Sequence, residues 1–392
     1  MIVAALGYFV DIYDLILFSI VRIPSLRDIG IPEDQLKSSG IFLIQMQMIG
    51  MIIGGVVWGI MGDKRGRLSA LFFTILLYSL ANIANGFIHT FQQYAWLRVI
   101  AGFGLAGELG IGITLVSEVM PKETRGWGTS IVSGVGICGA ALAFAFAEWG
   151  WKQAYWAGGA LGLVLLGFRV YVHESGMFEK IKNQVVRRGD FFCFFTNKER
   201  FLKYLYCILI GIPVWFIIGI LITFSKEFAE YLGVTSPINV GKGVMLHYIG
   251  AACGSILTGW LSQVLHSRKK SLGIALITLP IVCIGYFSAF GVSATVFYLI
   301  VFLLGVSQGY WAVFITVSAE QFGTNIRSTA TTTIPNFVRG SVVLMTFAWG
   351  EMTPSLGILK AAIIVGATVL ILALFGLLKL EETYGKELDY TE

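Results

Sequence analysis

Charge is scarce in this chain. Asp, Glu, Lys and Arg make up 13% of 392 residues and hydrophobic types 56%, where an ordinary soluble domain carries about 25% charge. At a mean hydropathy of +0.78 there is more apolar surface than one water-soluble core can hide, so an ordinary soluble fold is excluded and lipid is the expected solvent. Histidine is scarcer still. Four scattered histidines cannot supply the usual His-based metal site, and no nucleophile elbow or phosphate loop is found, so an integral-membrane enzyme has no support and no metal or cofactor is expected. Five cysteines, Cys138, Cys193, Cys207, Cys253 and Cys283, lack metal-ligand spacing and mostly lie in or beside apolar runs. They are expected to be free thiols.

What the chain does have is long apolar runs. A helix needs roughly 20 mostly apolar residues to cross about 30 Å of hydrocarbon, where no water satisfies the backbone. Twelve stretches qualify: 3–24, 39–61, 68–89, 95–118, 127–147, 153–172, 202–224, 242–264, 271–290, 294–317, 328–349 and 357–379. The expected fold is an all-α membrane protein of twelve transmembrane helices. The first run lacks a small-residue cleavage pattern and reads as a span rather than a signal peptide. It starts almost at Met1 with no basic segment ahead of it, which leads us to expect a short native leader upstream.

The net charge of +5 does not point to nucleic acid, because most of the 28 Lys and Arg fall in loops on one side, such as Lys64-Arg65 and Arg268-Lys269-Lys270. That asymmetry predicts an inner-membrane protein with those loops and both termini in the cytoplasm.

Hydropathy breaks between His173 and Arg200, which divides the chain into 1–172, a cytoplasmic linker 173–200, and 201–392 with a short tail. Phe191, Phe192, Phe194 and Phe195 are expected to form a short helix in the headgroup region. Shifting the chain by 200 residues places Ile49, Gly50, Gly54 and Gly59 on Ile249, Gly250, Gly254 and Gly259, and Gln47 on His247. A shift of 202 places Glu118 on Glu320 and Arg125 on Arg327. The two halves therefore read as duplicated six-helix bundles, an arrangement in which one repeat rocks against the other around a site near the midplane.

The run Gly59-Ile60-Met61-Gly62-Asp63-Lys64-Arg65-Gly66-Arg67 resembles the signature loop of the major facilitator superfamily. Arg98 to Gly104 is similar to its fourth-helix motif, and Glu118 through Pro121 to Arg125-Gly126 to the loop after it. Gly7 to Leu15, Gly107-Glu108 and Glu174 to Phe178 resemble the metabolite:proton symporters and the sugar and phosphate porters, although Gly176 stands where those often have Pro. The second copy of the loop, Gly259 to Lys270, lacks the Asp and carries Gln263.

An ionised side chain at the bilayer centre costs roughly 2.5–3.5 kcal/mol on insertion scales, so those present usually face a cavity. Asp11 and Asp14 lie three apart near the middle of the first span and Glu108 near the middle of the fourth, at depths that would let them converge. Burial and a neighbouring carboxylate favour binding of a proton, and in the resembling families acids at the Asp11 and Glu108 positions carry proton coupling. Asp14 instead offers itself as a structural partner for Arg98. Arg339, mid-way along the eleventh span, suits a carboxylate or phosphate, or serves as counter-ion to an acid such as Glu108. Gln47, His247, Trp215, Gln308, Tyr310 and Trp311 are candidates to line the substrate site, though His247 and the aromatic residues fit simple packing as well. The resemblance further implies a gate: Asp63 against the amino end of the eleventh span, Arg67 with Glu118, and Arg327 with Glu320, with Arg125 beside them. Plain topology-setting charge is the alternative for these loop residues.

The expectation is a monomeric secondary transporter whose partners are lipid, protons and a small, probably anionic, metabolite. A uniporter or sugar-type porter of a neutral solute stands as the alternative, and a non-transporting solute sensor is a third reading, with little sequence after Lys379 to form a signalling domain.

Overall fold

The computed structural model describes residues 2–121, 125–169 and 187–392. All regular structure among them is helical: α1 (Ile2–Asp28), α2 (Leu36–Arg65), α3 (Arg67–Asn85), α4 (Phe91–Leu105), α5 (Glu108–Val119), α6 (Arg125–Ile137), α7 (Gly139–Ala147), α8 (Trp151–Arg169), α9 (Cys193–Thr196), α10 (Lys198–Phe216), α11 (Ser225–Tyr231), α12 (Val240–Val264), α13 (Arg268–Phe287), α14 (Ala294–Gln308), α15 (Trp311–Glu320), α16 (Arg327–Leu356) and α17 (Ile358–Lys379). These compose twelve spans, because three of the spans are interrupted. The fourth is α4 and α5, the fifth α6 and α7, and the tenth α14 and α15, while the seventh continues from α10 into a π-helix at Ile217–Ile222.

Eight of the spans are long and apolar enough to qualify as membrane crossings on composition alone. The eleventh, α16, is not among them, because Thr329, Thr331, Thr332, Thr333, Asn336 and Arg339 lower its hydropathy; all six are buried by the surrounding helices. Helix starts are set locally. Thr90 and Gln93 form a capping box at α4, and Asn239, Ser267 and Ser293 cap α12, α13 and α14 through their side-chain oxygens, each satisfying a backbone N–H that the first turn leaves free. Gly66, between α2 and α3, has a φ of 107°, a conformation that a Cβ would strain.

The internal repeat is visible in the packing. α2 lies against α4 as α12 lies against α14. A Cβ on Gly50 or Gly54 would overlap the carbonyl oxygens of Val99 and Phe103, and one on Gly250 or Gly254 those of Phe302 and Val306. Both helix pairs therefore approach backbone to backbone at matching glycines. The halves meet where α2 packs on α16 and α12 packs on α6 and α7.

The phenylalanine cluster departs from expectation. Only Cys193–Thr196 is helical there, and Phe194 is fully buried, its ring 4.6 Å from that of Tyr204. Phe191 stacks on Phe337 at 6.3 Å. Burying these rings against the second half removes more apolar surface than lying in the headgroups would. Residues 173–186 of the expected linker, with the Glu174–Phe178 motif, lie outside the described residues. The five cysteines are all free.

Candidate functional site

Arg339 sits at the centre of the molecule, 1% exposed. Its Nη1 donates to Asn336 Oδ1 at 3.2 Å, and the Asn336 amide in turn donates to the carbonyls of Ala106 and Thr332, both at 2.7 Å. The guanidinium carbon is 5.9 Å from the ring centre of Trp215 and 6.0 Å from that of Trp311, within the range of cation–π attraction. Its Nη2 lies 3.8 Å from Asp11 Oδ2. That is too long for a hydrogen bond, and neither Asp11 oxygen accepts one, while Arg339 Nε is also without a partner. Asp11 and Arg339 are thus held together by charge alone. Beside them a cavity with about 20 Å³ of free space is lined by Tyr8, Trp215, Tyr248, Gln308, Trp311 and Arg339, among apolar neighbours. That is room for about one water.

Glu108 is the first residue of α5, directly after the break in the fourth span, and it lies within electrostatic range of Asp11. The amino end of a helix favours a carboxylate there. The matching break in the tenth span falls between Gln308 and Trp311, so both interruptions open onto the centre. Asp14 does not converge on it. A Cβ on Gly158 of α8 would overlap Asp14 Oδ1, and the nearest charged and polar groups are Arg98 and Asn82. Three residues turn a helix by 300°, and the 60° offset from Asp11 is enough to send Asp14 into the interior of the first half.

Other expected site residues also point away. Gln47 Oε1 accepts from Arg98 Nη2, whose Nη1 is 3.4 Å from the Tyr155 hydroxyl. His247 Nδ1 is 3.4 Å from the Val301 carbonyl, and the Tyr310 hydroxyl donates to the Ile210 carbonyl at 2.9 Å. Gln47 and His247 do occupy equivalent places, under α4 and α14, but both are packed within their own halves, so they, Arg98 and Tyr310 do not border the cavity. Trp215, Gln308 and Trp311 do.

At the face carrying the basic loops, the halves are locked together. Asp63 accepts from the backbone N–H groups of Ser328 and Thr329 at 3.1 and 2.8 Å and from the Thr329 hydroxyl at 2.6 Å, placing its charge on the amino end of α16. Arg67 pairs with Glu118 at 2.8 Å, and Arg327 reaches the same carboxylate from the other half at 3.2 Å. The expected Arg327–Glu320 pair is therefore replaced. Glu320 pairs with Arg268 at 3.2 Å, because Arg268 opens α13 as Arg67 opens α3 and is the true counterpart in the repeat. The side chain of Arg125 lies outside the described residues.

Residues 4–341 match the Major Facilitator Superfamily. The chain belongs to that superfamily. Among its relatives, a probable 4-methylmuconolactone transporter of Cupriavidus pinatubonensis is 24% identical over 97% of this chain and 89% of its own. A gentisate transporter of Corynebacterium glutamicum is 26% identical over 95% and 86%. The solved proton:xylose symporter XylE has the same fold, with a TM-score of 0.74 at 16% identity, covering 99% of this chain and 97% of its own. This major facilitator chain is a multi-pass membrane transporter of metabolites and not an enzyme.

Within the major facilitator fold, Tyr8 and Tyr248 line the cavity and Asn336 fixes Arg339, and none of the three stood out in the sequence. Tyr8 lies one helical turn before Asp11 and Asn336 one turn before Arg339, so helical spacing from the two charges would have found both.

Proposed function

We propose that this transporter moves a small organic anion, an aromatic or related carboxylate, together with a proton, by alternating access across the inner membrane. The observation that carries this reading is the Arg339–Asp11 pair between two indoles. Arginine stays charged under any physiological condition, so with Asp11 ionised the pair is neutral. A solute carboxylate arriving at Arg339 would then leave an excess negative charge in a buried site, which is costly. Protonation of Asp11 removes that excess and frees the guanidinium fork for the solute, so one proton enters with each anion, and Glu108 stands near enough to bias the exchange. Trp215, Trp311, Tyr8 and Tyr248 offer flat apolar faces to a ring. The acids named in the relatives, such as gentisate, support the same substrate class.

The basic-loop face is read as cytoplasmic, with both termini there and with 1–172 and 201–392 as monomeric halves that rock about the centre. Asp63, Arg67, Glu118 and Arg327 form the gate of that face, with Arg268 and Glu320 as its counterpart inside the second half.

A second reading, a porter of neutral solutes, draws on the same pair, since Arg339 satisfied by Asp11 needs no anion. Uptake of gentisate and of its neutral amide into proteoliposomes, with and without an imposed pH gradient, separates the two. The first reading expects gradient-driven gentisate uptake and none of the amide; the second expects amide uptake indifferent to the gradient.

A further inference from the structure

The face opposite Asp63 is joined by far fewer polar contacts. Near the end of α1, Arg22 Nη2 lies 3.3 Å from Glu227 Oε1 of α11, with side chains 3% and 25% exposed. The guanidinium carbon is also 4.9 Å from the ring centre of Phe224. Phe224 and Phe228 pack on Trp349 of α16 at 5.1 and 5.9 Å, and Lys37 of α2 caps the same indole at 4.8 Å. A cation from the first half thus reaches an aromatic and acidic cluster of the second. The fit leaves little slack, since a Cβ on Gly40 would come within 2.6 Å of Arg22 Cδ.

The two closures differ in kind. On the basic-loop face, buried carboxylates are satisfied by backbone amides, hydroxyls and two arginines. On the opposite face there is a single monodentate contact, and Arg22 Nε, Arg22 Nη1 and Glu227 Oε2 find no hydrogen-bond partner. Separation would hydrate those three atoms, so water opposes this closure, whereas it has little to offer the other. The segment carrying Phe224 and Glu227 also follows the π-helix, where the Thr223 N–H bonds the Ile218 carbonyl at 3.1 Å and its hydroxyl bonds the same oxygen at 2.7 Å. Such π segments commonly mark places where a helix yields.

We propose that Arg22 and Glu227 form the latch of this face, and that in the empty transporter this latch opens before the Asp63 gate, swinging the end of the seventh span away from α1 and admitting solute to Arg339. The proposal rests on alternating access and is independent of proton coupling.

The test uses the full chain in nanodiscs with the native cysteines replaced by serine. Spin labels at Asp34→Cys and Ser236→Cys report this face, and labels at Lys64→Cys and His266→Cys report the other. Glu227→Gln, isosteric and at a partly hydrated position, is expected to raise the long-distance population of the first pair by up to about five-fold, leaving the second pair unchanged. Arg22→Gln should do the same, and the double variant should open no further than either single one. An unchanged distribution in Glu227→Gln, widening at both faces, or additive effects in the double variant would overturn it. Failure of gradient-driven uptake alone would overturn the proton reading and leave the latch standing.

Discussion

The carboxylate of Asp63 receives the first two free amides of α16, those of Ser328 and Thr329, so a residue at the end of the second span holds the amino end of the eleventh. Asp63 itself is fully buried. Removing one partner from a buried charged network typically costs about 3–5 kcal/mol. Asp63→Asn should therefore shift the population toward the state open on the basic-loop face and slow turnover. Distances between labels at Lys64→Cys and His266→Cys should lengthen; a distribution identical to the parent's would contradict the gate.

Arg339→Lys keeps the charge but loses the planar fork. Hydrogen bonds to charged groups contribute about 1.5–3 kcal/mol, so binding of an aromatic carboxylate should weaken by roughly 10- to 100-fold. Quenching of Trp215 and Trp311 fluorescence by the ligand gives the readout. Equal affinity in the lysine variant would show that the guanidinium does not contact the solute.

Gly50 and Gly250 face equivalent carbonyls, of Val99 and Phe302. Overpacking costs typically 1–3 kcal/mol, so Gly50→Val and Gly250→Val should lower the melting temperature by similar amounts. If either variant melted like the parent, the backbone contact at that glycine would be refuted.

Beyond the last span, burial opposes ionisation of Glu382, but hydrogen bonds from Ser267 and from the amides of Tyr384, Arg268 and Lys269 outweigh it and hold the carboxyl below its usual range. A depressed folded value means the contribution is complete above the unfolded value of about 4.3 and is lost as pH falls through the folded one. Hydrogen-exchange protection of the Arg268 and Lys269 amides should hold from neutral pH down to that range and decay only below it. Loss of protection near pH 6 would contradict the assignment.

Much of this was legible in the sequence, for reasons specific to lipid. Apolar runs, the Asp63–Arg67 loop and the repeat of Gly50 and Gly54 in Gly250 and Gly254 follow from constraints that a membrane imposes strongly. The side-chain directions were not legible. Asp11 and Asp14 are equally acidic and equally deep, yet only the helix rotation decides that one meets Arg339 and the other Arg98. Arg268 was hidden as the partner of Glu320 because the second loop lacks the Asp that marks the first. The breaks before Glu108 and Trp311 were invisible because Gly107 and Gly309 are two among 47 glycines.

The central claim is that the charge on Asp11 must be neutralised for an anion to occupy Arg339. Its most direct test is gentisate uptake by Asp11→Asn in proteoliposomes with an inward pH gradient and, separately, gentisate exchange at equal pH. A permanently neutral residue 11 should abolish gradient-driven accumulation while exchange at equal pH persists, largely insensitive to pH. Accumulation at the parent's level in Asp11→Asn would contradict it.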